Sequence, residues 1–186
     1  MKIKSNAATG ELSSPFYKVN RDFCKAFEEF IAHKNGEVKG TYNAWSYLVE
    51  GRISHPKSWR LRYKKATYTS TGNLILSSKE QNLLTLAEWS TPMAGSFNSE
   101  FSIYKKESFG FIKKLFNNSN SFNGLKDYVF NGSHINSTFI EKLYQTLNPL
   151  FQSGEVYSVI LKNDNLSISL RTELHHFETI ENLLKL

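Results

Sequence analysis

The sequence has a single cysteine and lacks long apolar runs. One cysteine in 186 residues excludes an internal disulfide and any zinc site built from several cysteines. The apolar runs fall short of the roughly 18 residues that indicate a membrane-spanning helix. The segment Met1–Ser14 is polar and has no apolar stretch of the kind found in signal peptides. These absences favour a cytoplasmic protein that folds around its own hydrophobic core.

Motifs of the common catalytic and phosphate-binding classes are also absent. The sequence contains no glycine-rich phosphate loop, no Gly-x-Ser-x-Gly nucleophile elbow and no His-Glu-x-x-His zinc motif. The acidic pair Glu28-Glu29 falls on the polar side of a helical pattern, where such pairs are typical of solubilising charge. We therefore expect no catalytic residue, no bound metal and no cofactor. The sequence favours a binding or interaction module over an enzyme.

The composition predicts one ordered domain. Hydrophobic residues make up 40% of the chain and aromatic residues 14%, which excludes a disordered chain and predicts a core packed with Phe and Tyr. The length fits one domain. Residues 1–13 are small, polar and without periodicity, so they are predicted to form a flexible tail. Residues 14–186 are predicted to form a single α+β domain.

A long helix is indicated at both of its ends. Ser14 is placed to cap it, Pro15 suits its first position, and Asn35-Gly36 tolerates the left-handed backbone with which helices end. Between them, apolar residues recur at helical spacing: Phe16, Val19, Phe23, Phe27, Phe30 and Ile31. Cys24 lies beside this stripe and is predicted to be a semi-buried small apolar side chain rather than a nucleophile. The stripe is expected to pack on a sheet, with its central phenylalanines mostly buried.

Strand patterns follow the helix. Residues 42–50 alternate in polarity, and a second strand is predicted from Trp59 to about Thr71. A Gly72-Asn73 turn would return the chain along residues 74–76. Residues 79–89 fit a helix by propensity and a strand by alternation, and both alternatives stay open.

The second half alternates short strands and helices. The predicted elements are a strand at 101–105, a helix at 109–116, a polar loop at 117–123, a strand at 128–130 closed by Asn131-Gly132, a helix from Thr138, a hairpin at 156–171 turning at Asn163-Asp164, and a last helix over 177–184. Hairpins without repeated βαβ units predict a mainly antiparallel sheet. It would be built from a meander and hairpins, with amphipathic helices packed on one face.

The clearest anomaly is the distribution of charge. The formal net charge is +6, and residues 1–106 carry 16 Lys and Arg against 9 Asp and Glu. No acidic residue occurs between Glu50 and Glu80. The candidate anion-binding residues in this window are Arg52, Lys57, Arg60, Arg62, Lys64 and Lys65. With strand periodicity, Arg60, Arg62 and Lys64 share one face and Trp59, Leu61 and Tyr63 share the other.

Two interpretations of this basic strand stay open. In the first, its cations form a solvated outer face, paired to Glu50 or Glu100, that also deters aggregation. In the second, they bind a polyanion, which would be nucleic acid, an anionic lipid surface or an acidic protein. No known RNA-binding or DNA-binding motif accompanies the strand. The second interpretation makes the chain a binding module with a basic strand face.

Two functions of other classes are alternatives. A metal-dependent enzyme would use a His/Glu cluster at the last helix, where His175 and Glu178 are three residues apart and His176 is adjacent. Two ligands on one turn are only half of a metal site, so we expect histidines that make local hydrogen bonds instead. The other alternative is a purely structural role, in which the outer sheet face contacts another subunit.

Overall fold

The computed structural model describes residues 3–66, 86–93, 100–106, 120–122, 125–133 and 137–186. These residues form ten strands and three α-helices, which confirms the α+β class and the mainly antiparallel pairing. The chain divides into two compact units, Met1–Trp89 with Arg171–Phe177 and Ser90–Leu170 with Glu178–Leu186. The single domain over 14–186 stays a prediction. Within the ranges above, no helix has both the length and the hydropathy needed to cross a membrane.

The first unit combines one long helix with neighbouring strands. Its elements are β1 at Lys4–Ser5, α1 at Pro15–His33, β2 at Glu37–Tyr42, β3 at Ser46–Ile53, β4 at Trp59–Ala66 and the part of β5 (Leu86–Pro92) that ends at Trp89. The strands lie in the order β1-β2-β3-β4-β5. β1 is parallel to β2, and the pairs β2–β3 and β3–β4 are antiparallel. Residues 3–13, predicted as a tail, thus contribute β1 and a 3-10 turn at Thr9–Glu11.

Helix α1 begins and ends at the predicted residues. The Ser14 Oγ accepts a hydrogen bond from the Phe16 amide at 3.3 Å, and Pro15 occupies the first turn. At the other end Asn35 adopts the left-handed conformation with φ 52°, and the Gly36 amide donates to the Ile31 carbonyl. Cys24, predicted to be semi-buried, is almost completely buried, and burial raises the pKa of its thiol to about 12, so the thiolate is scarce at neutral pH.

The apolar stripe of α1 is covered over only part of its length. Phe27 and Ile31 are fully buried, and Phe23 and Phe30 are half-buried. Phe16 and Val19, predicted to pack on the sheet, are instead 58% and 59% exposed. At this turn the buried side chain is Asn20, whose Nδ2 donates to the carbonyls of Asn43 and Ala44. The helix is therefore held there by these hydrogen bonds together with two ring contacts, Phe16 with Trp45 at 6.1 Å and Tyr17 with Tyr42 at 5.7 Å between centroids.

Gly51 of β3 allows α1 to approach the sheet closely. A Cβ at this position would lie 2.5 Å from Ile31 Cδ1 and 2.8 Å from Phe27 Cζ, both of which are buried. Because neither side chain has free space, we expect Gly51→Ala to lower the free energy of unfolding by about 1–3 kcal/mol. Gly10→Ala is the matched control, since a Cβ there meets no atom within 4 Å. Equal urea midpoints for the two variants would contradict this packing.

The predicted strand at 42–50 was wrong at its start, and β2 was not predicted. The Asn43 Oδ1 accepts hydrogen bonds from the Trp45 and Ser46 amides at 2.9 and 2.8 Å, which fixes a turn between β2 and β3. β2 contains charged residues and a glycine, so its own sequence gives little strand signal. Its pairing with β3 over the whole range Glu37–Tyr42 supplies the hydrogen bonds that hold it.

The second unit contains the remaining strands and helices. They are β6 at Glu100–Lys105, β7 at Asn120–Phe122, β8 at Leu125–Ser133, α2 at Ser137–Gln152, β9 at Val156–Lys162, β10 at Asn165–Leu170 and α3 at Phe177–Leu183, whose first residue belongs to the first unit. Antiparallel pairing gives the order β10-β9-β6-β8-β7. The predicted hairpin is confirmed, with Asn163 and Asp164 at φ 49° and 54° as a two-residue turn requires.

Two predictions for the second unit were wrong in detail. The polar loop at 117–123 contains β7, which pairs with β8. The strand at 128–130 does not close at Asn131-Gly132, because these two residues pair with Ser102 and Phe101 of β6 and extend β8. The predicted turn at Gly72-Asn73, the strand at 74–76 and the helix at 109–116 lie outside the described residues. Of the ambiguous segment 79–89, residues 86–89 are strand and the rest lies outside.

Candidate functional site

Strand β4 alternates as its sequence predicts. Trp59, Leu61 and Tyr63 are buried, whereas Arg60 and Lys64 are exposed and Arg62 is half-buried. The inner side is fixed by hydrogen bonds, since the Tyr63 hydroxyl donates to the His175 carbonyl at 2.6 Å and accepts from Trp89 Nε1 at 3.1 Å. A slip of one residue would bury the cations and break these bonds, so the outward direction of the cations is well determined.

The outward side chains of the first unit's strands form a grid, which we call the outer face. The antiparallel register places Lys39 opposite Glu50, and Glu50 opposite Arg62. The row on one side contains Glu37, Arg52 and Arg60, and the row on the other contains Thr41, Leu48 and Lys64. The cations of the outer face are Lys39, Arg52, Arg60, Arg62 and Lys64, and its carboxylates are Glu37, Glu50 and Glu88. The outer face therefore has an excess of two positive charges.

Glu50 lies at the centre of the outer face and binds three cations. Its Oε2 lies 2.6 Å from Arg60 Nη2, and its Oε1 lies 3.3 Å from Arg52 Nε and 3.6 Å from Lys39 Nζ. The Glu50 side chain is only 10% exposed, whereas each of the three cationic side chains is about half exposed. One covered carboxylate is thus surrounded by cations whose remaining N–H donors face solvent. The pairing with Glu50 proposed for the solvated face is confirmed.

Glu50 is ionised under ordinary conditions. Burial alone would raise the pKa of Glu50, but the hydrogen bond from Arg60 and the charges of Arg60 and Lys39 outweigh it, and the pKa is lowered. The hydrogen bond and the charge of Glu50 raise the pKa of Arg60, so the pair stabilises the charged form of both residues. The cluster is therefore permanently charged at neutral pH and carries a net charge of about +2 by simple counting of its four groups.

Two shallow depressions border these groups. One of about 260 Å³ is lined by Glu37, Val38, Lys39, Glu50 and Arg52. The other, of about 110 Å³, is lined by Arg62, Lys64, Leu86 and Glu88, and there Arg62 Nη1 lies 3.4 Å from Glu88 Oε2. Both are shallow features of an open surface. They suit contact with an extended ligand better than enclosure of a small molecule.

The structure brings four of the six predicted cations onto the outer face: Arg52, Arg60, Arg62 and Lys64. Lys57 is exposed in the connection between β3 and β4. Lys65 lies on the inner side of β4, in register with the buried Tyr47 and 3.9 Å from Glu173, so it is not part of the outer face. Lys39 was not predicted, because the strand that carries it gives no clear pattern in the sequence.

The histidines of the proposed His/Glu cluster have separate structural partners. His175 stacks on Phe23 with ring centroids 3.7 Å apart and on Phe177 at 4.5 Å, and its Nε2 bonds to the Phe23 carbonyl. His176 bonds through Nε2 to the Thr172 hydroxyl at 2.9 Å. Among the described residues, no group of three or more His, Cys, Asp and Glu side chains is placed to hold a metal ion. Nothing in these contacts favours the metal-dependent alternative.

His175 gives the first unit a pH-dependent stability. Burial lowers its pKa from the ordinary 6.5 and so does His176, although the Phe23 carbonyl raises it. Because the unfolded chain then binds the proton more readily, the stabilisation is complete above about pH 6.5 and is lost as the pH falls through the lowered value. We expect urea unfolding to show a smaller loss of stability between about pH 8 and pH 5 in His175→Phe, which keeps the stacking, than in the wild type. Identical pH profiles would contradict this assignment.

The comparisons with known proteins identify no function for this chain, so the function is inferred from the site. The chain matches no protein-family model, no curated protein and no solved structure.

Proposed function

We propose that the chain is a non-catalytic binding module whose outer face binds the phosphate backbone of double-stranded nucleic acid. The observation that carries the proposal is the array of five solvent-accessible cations on three adjacent strands, which outnumber the carboxylates beside them. We also propose a cytoplasmic location, which the sequence favours.

The spacing of the cations favours a ligand with repeated charges. Arg60, Arg62 and Lys64 follow at every second residue of β4, so their positions repeat about every 6.8 Å along the strand. Neighbouring strands add further rows about 4.8 Å away. Such an array can contact several phosphates at once, and each contact releases a condensed counterion. The net charge of +6 adds a longer-range attraction toward any polyanion.

The chemistry of the outer face favours contact with phosphates rather than with bases. Arginine provides a planar set of donors that matches phosphate oxygens, and three of the five cations are arginines. The outward positions described in β2, β3 and β4 carry no aromatic side chain on which a base could stack. We therefore expect binding without sequence preference, and duplexes in preference to single strands.

Other anionic partners fit the outer face less well. Peripheral membrane surfaces combine cations with inserted apolar side chains. Among the described outward residues of β2, β3 and β4, the large apolar side chain is Leu48, which is 43% exposed. An acidic protein would have to place its carboxylates opposite the cations of the outer face. The carboxylates of Glu37, Glu50 and Glu88 on the same face would repel them. The structural alternative, a subunit contact through the same face, stays a prediction.

Binding of a labelled duplex of arbitrary sequence tests the proposal. At about 50 mM salt we expect fluorescence anisotropy to show saturable binding, with equal affinity for two unrelated sequences. Vesicles with and without anionic lipid, and a polyglutamate chain, are the comparison ligands. Binding to anionic vesicles or polyglutamate without binding to the duplex would overturn the proposal, and so would an absence of binding to all three.

A further inference from the structure

Glu50 is an unexpected residue in an anion-binding surface. A carboxylate near bound phosphates repels them, so a surface shaped only by charge would place no buried acid among its cations. Glu50 nevertheless occupies the centre of the grid, with 90% of its side chain covered, and it contacts residues of all three strands β2, β3 and β4. Because Glu50 is covered and surrounded by cations, solubility does not explain its position.

The contacts of Glu50 restrict the motion of three long side chains. Arg60 donates its Nη2 to Glu50 and Arg52 donates its Nε, while Lys39 lies within ion-pair distance. Free arginine and lysine side chains sample many rotamers, and ordering them opposes binding. Side chains already held by a fixed carboxylate lose less freedom when a ligand arrives. The donors of Arg52 and Arg60 that Glu50 does not use remain available to a phosphate.

We infer that Glu50 is a positioning residue of the proposed phosphate-binding face, which holds Lys39, Arg52 and Arg60 in the arrangement that contacts the nucleic acid backbone. This inference rests on the proposed function. The negative charge of Glu50 thereby increases the affinity of the protein for a negatively charged ligand. A simple counter-charge would lower that affinity.

A pair of neutralising variants separates the two roles. Glu50→Gln and Glu37→Gln each raise the net charge by one on the same face, but Glu37 is exposed and forms no ion pair with the residues that the structure describes. If Glu50 positions the cations, Glu50→Gln weakens duplex binding by roughly fivefold, whereas Glu37→Gln, which only removes a repulsive charge from the face, tightens it by up to about twofold. If Glu50 is a counter-charge only, both variants bind the duplex more tightly.

A charge-conserving variant tests the same inference without altering the net charge. Glu50→Asp keeps the charge but withdraws the carboxylate by one methylene, so it cannot reach all three cations in their present positions. We expect roughly threefold or greater weakening of duplex binding, measured well below the melting temperature of the variant and with an unchanged circular dichroism spectrum. This variant also decides the matter if Glu50→Gln fails to fold.

The outcomes distinguish the inference from the proposal on which it rests. Wild-type binding together with unweakened Glu50→Asp, or with Glu50→Gln tighter than wild type, overturns the positioning role alone. An absence of wild-type binding to the duplex overturns the proposed function and this inference with it. Weakening in both Glu50 variants, with Glu37→Gln tighter than the wild type, supports both.

Discussion

Phe27→Ala is expected to lower the free energy of unfolding by about 3–5 kcal/mol, the range typical of a fully buried phenylalanine. Phe27 has no exposed surface, and its ring meets Tyr63 edge to face with centroids 5.1 Å apart. It also packs against Gly51, where an added Cβ would lie 2.8 Å from Phe27 Cζ. Because a close-packed interior relaxes only partly around a truncated side chain, the substitution would leave a cavity. Such a loss is a large part of the 5–15 kcal/mol that usually stabilises a domain.

Phe16→Ala is the matched control for this prediction. It makes the same substitution in the same helix, but Phe16 is 58% exposed. Its effect on stability should be within about 1 kcal/mol. Urea denaturation followed by circular dichroism measures both variants. A similar loss in the two variants would mean that α1 is not held through the contacts around Phe27.

Charge reversal on the outer face should have the largest effect on binding. We expect Arg62→Glu combined with Lys64→Glu to weaken duplex binding at about 50 mM salt by a hundredfold or more. Arg60 is spared because it is bonded to the covered Glu50, and its loss would confound binding with stability. Arg62 and Lys64 are at least partly exposed, so the melting temperature should change little.

The control for charge reversal carries the same change in net charge elsewhere. Lys18→Glu combined with Lys142→Glu alters two exposed lysines on α1 and α2. If affinity depended only on net charge, both double variants would bind equally weakly. The proposal expects the control to lose several-fold at most. Equal losses would place the site elsewhere on the surface.

The sequence predicts those parts of the fold that are determined by residues close together in the chain. Ser14 caps the first turn of α1, Pro15 fits its first position and Asn35 adopts the left-handed conformation at its end, and these preferences act within a few residues. The Asn163-Asp164 turn and the alternation of β4 are local in the same sense. Each of these features can be predicted because residues adjacent in the sequence are sufficient to determine it.

The parts that the sequence does not predict depend on distant partners. β2 is held by pairing with β3, and β8 extends through Gly132 because β6 lies beside it. In the candidate site, the alternation predicted which cations of β4 point outward. The burial of Glu50 was not predictable, because it is produced by Arg60 and Lys39 from neighbouring strands. A pairing of the basic strand with Glu50 was predicted, but the register of three strands decides that three cations converge on it, and no local pattern reports their number.

The salt dependence of wild-type binding to the duplex tests the central claim most directly. About four phosphate contacts predict that the logarithm of the association constant falls against the logarithm of salt concentration with a slope of roughly −3 to −4. The titration would run from about 50 to 200 mM salt, where this slope gives a loss of roughly a hundredfold. A slope near zero, or no binding at about 50 mM salt, would contradict a phosphate-binding outer face.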